Sequence, residues 1–379
     1  MKIVIAIDKF KGSATQSQLS ETIATAFHKK LPQAQVVIVP IADGGDGTTQ
    51  AIRQILGDKV TPRSCEVHFT QSTQDTHLRQ AEYLFAPNSA TAYMDIATTD
   101  GLALIPANER HVMKYGTIAT GEMIRHAINH GAKHIVLGLG GSATCDGGIG
   151  ILDALGCDLL DKNQLRLKAC ASNLDKIDSI IHDRMDNLVA GVTFTLLTDV
   201  ANPLLGDNGA AAIFAPQKGA SPLEVRQLEE GLTNLARFMP DYASHIPGAG
   251  AAGGVAATMV GLLNANIKHG IDWILDLAHF DDIVSNASLV ITGEGRIDNQ
   301  TMMGKAPDGV MQTASRHKVP IVALCGSIAP GTDTASMGFE RVIEVTRKDM
   351  SIEQAMETST TLSQVEKATL SLISNWNWK

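Results

Sequence analysis

Aromatic residues are scarce in this chain, 4% of 379 residues, and its formal net charge is −9. A nucleic-acid binder needs a basic surface and rings on which bases stack, so no nucleic-acid partner is expected. Cysteine is sparse too. Cys65, Cys145, Cys157, Cys170 and Cys325 are odd in number and no Cys-x-x-Cys occurs, which argues against a disulfide framework or a structural zinc site. No apolar run approaches the roughly 18 residues that span a bilayer, so no membrane partner is expected. The N-terminal "MKIVIAIDKFKGS" has too short an apolar stretch for a secretory leader and reads as a first β-strand, which makes the cytoplasm the expected compartment. "GxSxG" and "GxxxxGK[ST]" are also missing, against an α/β-hydrolase and an ordinary P-loop enzyme.

Glycine, by contrast, is plentiful at 34 residues, and 44% of the chain is hydrophobic. The length suits two domains of a globular α/β protein. Short Val- and Ile-rich segments at 2–7, 36–41, 288–292, 319–324 and 341–346 read as buried parallel strands. Helical periodicity lies between them at 15–31, 48–56, 306–317 and 351–374; the first repeats Leu19, Ile23, Phe27 and Leu31. Alternation at both chain ends predicts one open parallel sheet. The middle reads as strands at 66–70, 79–86, 91–96, 134–138, 192–197 and 210–214. It also holds a helix start at "SPLE", with Ser221 as cap, Pro222 in the first position and Glu224 in the third. The expected fold class is α/β with two α/β domains. Residues 1–57 plus 286–379 form the parallel-sheet domain, and 58–285 an inserted mixed α/β domain.

Ligands of open α/β sheets sit outside the carboxyl ends of the strands. The loops there read "DKFKGS", "ADGGDGT", "GLGGSATCDGG", "TDVANP", "TGEGRID" and "CGSIAP", with "GAGAAGG" ahead of a later helix. Five of these seven carry an acidic residue. Backbone N–H groups in Gly-rich turns and helix N-termini attract phosphate. Carboxylates in the same place repel it unless a cation lies between, and Mg²⁺ is the usual one. Lys11 and Lys305 are placed to neutralise a transferring phosphoryl group. Plainer readings stay open beside these: Asp8 and Asp46 as helix caps, His126 and His130 as a surface pair, Cys145 as a small loop residue.

Taken in order, "AIDKFKGS", "PIADGGDGT", "GLGGSATCDGGIGILDALG", "LTDVANPLLGDNGA", "APQKGA", "GAGAAGG" and "VITGEGRIDNQTMMGKAPDGV" resemble the motifs of the bacterial glycerate kinases, type 1 family. The resemblance implies an ATP- and Mg²⁺-dependent kinase acting on D-glycerate, with 2-phosphoglycerate favoured over 3-phosphoglycerate. It implies a flavodoxin-like domain from both chain ends, an insert of restriction-endonuclease-like topology, and a site in the cleft between them. Glycerate and ATP are the partners it implies, and a homodimer is left open. At the matching positions, Lys11, Asp146, Asp199, Glu294 and Asp298 become catalytic candidates. Ser13, Gly140, Gly141, Ser142, Gly253, Gly254 and Lys305 become nucleotide contacts, and Asp43, Asp46 and Asp199 metal ligands. The chain departs from the pattern at Lys9, at Asp46 in place of Glu, at Ala119 in place of Gly, at Cys145 in place of Asn, and at "QSTQD" in place of a Gly-Pro-Leu-Gly turn. Two other readings are a catalytically impaired ligand-binding relative and an NAD(P)-binding oxidoreductase, for which Asp43 comes too early to hold a ribose.

Overall fold

The computed structural model describes residues 1–70 and 76–378, so "QSTQD" lies outside the described residues. The strands run in chain order as β1 (Lys2–Ile5), β2 (Gln35–Ile38), β3 (Thr61–Thr70), β4 (Thr76–Ala86), β5 (Thr91–Asp95), β6 (His134–Gly138) and β7 (Asp158–Leu160). They continue as β8 (Ser179–Ile181), β9 (Thr193–Thr198), β10 (Asn266–His269), β11 (Leu289–Ile297), β12 (Ile321–Ile328) and β13 (Arg341–Glu344). The chain divides into two compact units, Met1–Asp43 with Ile271–Lys379, and Gly44–Gly270.

The first unit holds a five-stranded sheet in the order β13-β12-β11-β1-β2, with every pair parallel. Counted within the unit, this is the flavodoxin-like order, with its switch point between β1 and β11. The sequence around β1 explains its central place. Ile3, Ile5 and Ile7 enter one core and Val4 and Ala6 the other, so both faces are buried. Each fully buried Ile contributes about 1.5–3 kcal/mol. The helix Gln16–Lys30 starts at a Thr15–Gln18 capping box and sinks Leu19, Ile23 and Phe27 into the Ile5 face.

The second unit holds a mixed sheet in the order β10-β9-β6-β5-β4-β3. The four strands from β10 to β5 are parallel, and β4 and β3 complete the sheet antiparallel. A separate antiparallel pair joins β7 and β8. The helix Pro222–Ala236 begins where "SPLE" predicts it, with both bonds of the capping box formed. No helix among the described residues is long and apolar enough to cross a membrane.

Three sequence expectations are corrected here. Residues 210–214 form a helix, Ala210–Phe214, rather than a strand. A five-residue apolar run carries too little periodicity to separate the two, and alanine favours the helix. The expected helix over 351–374 is two, Ile352–Met356 and Thr358–Asn375. Glu357 is extended between them, and Thr358 Oγ1 donates to Ser13 O at 2.5 Å. The units also divide at 43/44 and 270/271 rather than 57/58 and 285/286. The helix Thr48–Leu56 is tied to β5 by Thr49 N and Oγ1, which donate to Asp95 Oδ2 at 3.1 and 3.0 Å. Ile271, Leu275, Phe280 and Val284 instead enter a core of the first unit.

Candidate active site

In the first unit, the loop after β1 packs against the carboxyl end of β11 at the switch point. Asp8 N donates to Gly293 O at 2.9 Å. Phe10 and Ala14 exchange backbone bonds at 3.0 Å, closing a tight loop with exposed Lys11 and left-handed Gly12 at its tip. Ser13 follows, its hydroxyl donating back to Phe10 O at 3.4 Å. Gly293 is required by the packing, whereas Gly295 stands at ordinary contact distance from the loop. A Cβ on Gly295 would meet the Phe10 and Lys11 backbone at 3.4 Å, and one on Gly293 would stand 1.8 Å from Leu324 O.

Glu294 is the distinctive group of this cluster. Thr301 Oγ1 donates to its Oε1 at 2.6 Å. Burial pushes its carboxyl up from 4.5 to about 7; the Thr301 bond and Lys305 oppose the rise, and Asp298 and Asp8 add to it. Asp298 lies 3.6 Å from Lys305 Nζ and also accepts from Gln300 N at 2.9 Å, so it forms an ion pair and shapes its own turn. The structure thus brings together Glu294, Asp298 and Lys305, with the Lys11 and Ser13 loop against Gly295.

In the second unit, the carboxyl ends of β5, β6 and β9 converge on the loop Gly44–Gly47. Gly140 N donates to Gly44 O, and Leu139 N to Leu197 O, both at 3.0 Å. A Cβ at Gly44 would stand 2.7 Å from Leu197 C and O. This sets the loop of exposed Asp46 beside the loop of half-buried Asp199, while Asp43 is the last residue of the first unit.

Most glycines of "GLGGSATCDGGIG" serve the chain itself. A Cβ would come within 2.9 Å of Asp95 Oδ1 at Gly138, 2.5 Å of Gly45 Cα at Gly140, 2.3 Å of Leu235 Cδ2 at Gly147 and 2.5 Å of Ile118 N at Gly150. Gly141 differs: it is exposed, with φ +78°. Gly253 and Gly254, expected to touch nucleotide, lie against the chain's own interior. Both are buried in left-handed turns, and a Cβ on Gly253 would stand 2.3 Å from Thr144 O. They admit the Gly-rich loop's own backbone.

Asp146, expected to be catalytic, also lies inside the second unit. It is fully buried, and its carboxylate accepts from Thr117 N and Oγ1 at 2.9 Å and from Gly148 N and Gly150 N at 3.1 Å. Those four donors tie it to the turns at Thr117 and at Gly148–Gly150. Burial still pushes its carboxyl up, against those bonds.

Residues 3–376 match the glycerate kinase family. A glycerate kinase of Bacillus cereus is 38% identical over 360 residues, 94% of this chain and 93% of its own length. The glycerate 2-kinase of Escherichia coli is 35% identical over 360 residues, with the same coverage. A crystal structure of a candidate glycerate kinase 2 from Salmonella typhimurium LT2 matches with a TM-score of 0.81 at 32% identity, covering 99% of this chain and 98% of that one.

The chain belongs to the glycerate kinase family.

It is therefore an enzyme of the kinase class, for which ATP is the implied phosphoryl donor, and the oxidoreductase reading is set aside. Two of its departures from the family pattern are buried. Cys145 and Ala119 are fully enclosed in the core, and burial pushes the Cys145 thiol up to about 11, which keeps it a protonated packing residue. His126 and His130 stack at 3.9 Å, and His126 Nδ1 lies 3.1 Å from Tyr83 OH. No group of three metal-ligating side chains occurs among the described residues.

Sequence reasoning missed Asp95, Asp100 and Lys218. Asp100 is buried and pushed up to about 7 by desolvation, against bonds from Thr120 N and Oγ1. Asp95 ends β5, a carboxyl strand end like those that precede the other acidic loops, which is the signal that could have found it. Lys218 lies in "APQKGA", where nothing local signals that a lysine is buried.

Two outcomes follow from this geometry. A raised carboxyl favours folding below about pH 4.5, where both states are protonated, and that advantage is lost as pH rises through about 7. Glu294→Gln carries no charge, so its urea stability relative to the unsubstituted protein should increase from pH 5 to pH 8; a pH-independent difference would show that Glu294 is not held neutral. Gly253→Ala should destabilise by about 2 kcal/mol or more, combining left-handed strain with overpacking. Gly131→Ala, also left-handed but with nothing within 4 Å, should lose only the strain component. Equal unfolding midpoints would refute the packing role of Gly253.

Proposed function

We propose that this enzyme transfers the γ-phosphoryl group of ATP to the 2-hydroxyl of D-glycerate with Mg²⁺, giving 2-phosphoglycerate. The observation that carries the reading is the Glu294 carboxyl, raised to about 7 at the switch point beside Lys305 and Asp298. An attacking hydroxyl must lose a proton, and a base titrating near neutrality is both available and strong enough to take it. Lys11 at its loop tip and Lys305 supply positive charge for phosphoryl oxygens. Asp298 orients Lys305, and Ser13 supports the Lys11 loop. The likeness to the glycerate 2-kinase of E. coli supports the choice of hydroxyl.

In the second unit, Gly141 and Ser142 offer an anion contact, with Gly140, Gly253, Gly254 and Asp146 holding their loop. Asp46 and Asp199 are the residues that would hold Mg²⁺, with Asp43 at the loop's start. Two carboxylates on neighbouring loops fit an ion that takes its remaining ligands from water and phosphate, and fit poorly a metal held by protein alone. When bound, the ion would neutralise phosphate charge.

An ATP-consumption assay over a panel of small hydroxy acids, with the product assigned by NMR, tests the proposal. Activity should require D-glycerate, vanish with EDTA and return with Mg²⁺. Full turnover in chelator would remove the metal, and glycerate binding without ATP consumption would favour an impaired relative. Glu294→Gln should lower turnover by roughly 10²-fold or more, the scale of losing a general base. Lys11→Met should also lose most activity while folding normally; near-normal turnover would exclude Lys11 from the site.

A further inference from the structure

Lys218 has no task in the reaction above, and its placement is costly. At 4% exposure the ammonium has lost almost all its water. A buried charge persists only when it is paired and hydrogen-bonded. Burial pulls the ammonium below the usual lysine range, while Cys145 and Asp146 oppose the drop. A rigid turn delivers the side chain. Lys218 N donates to Ala215 O and Gly219 N to Pro216 O, both at 3.0 Å. A Cβ on Gly219 would stand 2.4 Å from Arg110 O, so the turn has no room to shift that way.

Nζ donates to Ser142 Oγ at 2.9 Å and to Thr144 O at 2.6 Å. An ammonium carries donors only, so Ser142 Oγ must accept from it, and the serine's own proton is left to point elsewhere. The residue just before Ser142 is exposed Gly141. We propose that Lys218 is a positioning residue: it fixes Ser142 as a hydrogen-bond donor toward an anionic oxygen of the bound substrate and holds residues 142–144 in the shape that presents it. The oxygen belongs to a phosphate of ATP or to the carboxylate of glycerate. The inference rests on the kinase reading above.

The test compares Ser142→Ala, Lys218→Met, Lys218→Arg and the Ser142→Ala/Lys218→Met double variant, with kcat and separate KM values for ATP and D-glycerate. Both single removals should raise KM for the same substrate by about tenfold or more, the scale of one hydrogen bond to a charged group, with little change in kcat. A rise for ATP assigns the phosphate, and a rise for glycerate the carboxylate. The double variant should be no worse than Lys218→Met alone, because the two act through one bond. Lys218→Arg should recover part of the loss. Multiplying effects, or unchanged KM values in folded Lys218→Met, would overturn the inference. Amide exchange at residues 141–145 gives a readout independent of turnover: it should quicken in Lys218→Met, and unchanged protection would refute positioning. If Lys218→Met does not fold, Ser142→Ala decides alone, since it spares the bond to Thr144 O; unchanged KM for both substrates would then refute the donor. Absence of turnover by the unsubstituted enzyme on every hydroxy acid would instead remove the kinase reading and leave exchange to judge the positioning.

Discussion

The Asp146 carboxylate joins two helix starts. Thr117 precedes the helix Ile118–Asn129, Gly148 precedes the helix Ile149–Leu155, and one carboxylate collects donors from both. Helix N-termini carry partial positive charge, so a carboxylate there is favoured twice, by hydrogen bonds and by the dipoles. With its donors gathered, the two helices approach closely enough that a Cβ on Gly121 would come within 2.7 Å of Ile151 Cα. Breaking such a buried set leaves several donors unpaired, a loss of about 3–5 kcal/mol on the scale of buried charged pairs. The whole Gly-rich loop hangs from this contact.

That constraint changes the meaning of the glycines. A cluster at a strand end suggests a phosphate against bare backbone, and the same freedom serves a backbone against a backbone. Gly138 and Gly140 admit the Gly44–Gly47 loop, and Gly253 admits residues 144 and 145. The loop is held from several sides, which leaves Gly141 as its exposed member. Lys218 belongs to the same arrangement: its ammonium is anchored on the loop and lies beside the charge of Asp146, which offsets part of the burial of both.

The first unit works by a different principle. At the switch point the helices that follow β1 and β11 pack on opposite faces of the sheet, which leaves the carboxyl ends of the two paired strands open side by side. Asp8 and Gly293 share a backbone bond there, and Glu294 follows at once. Its carboxyl is neither free in water nor fully paired, which holds it near neutrality. The close packing of Gly293 against Leu324 keeps that carboxyl in place.

The five strands of the first unit, the cap at Ser221 and the family itself were legible in the sequence because they rest on local pattern: alternate burial around β1, the Ser221–Glu224 box, and ordered loop motifs. Glu294, Asp298 and Lys305 were legible as neighbours because they lie within one short segment. Tertiary structure alone decided which loops meet, and with that what surrounds Asp146, Gly253 and Lys218. Asp146 and an exposed acid look alike in a string of letters, since burial is set by residues such as Thr117 that lie 29 positions away. Lys218 meets Ser142 across 76 positions. Whether a charge faces water or four internal donors depends on packing between distant segments, and no local propensity carries that information.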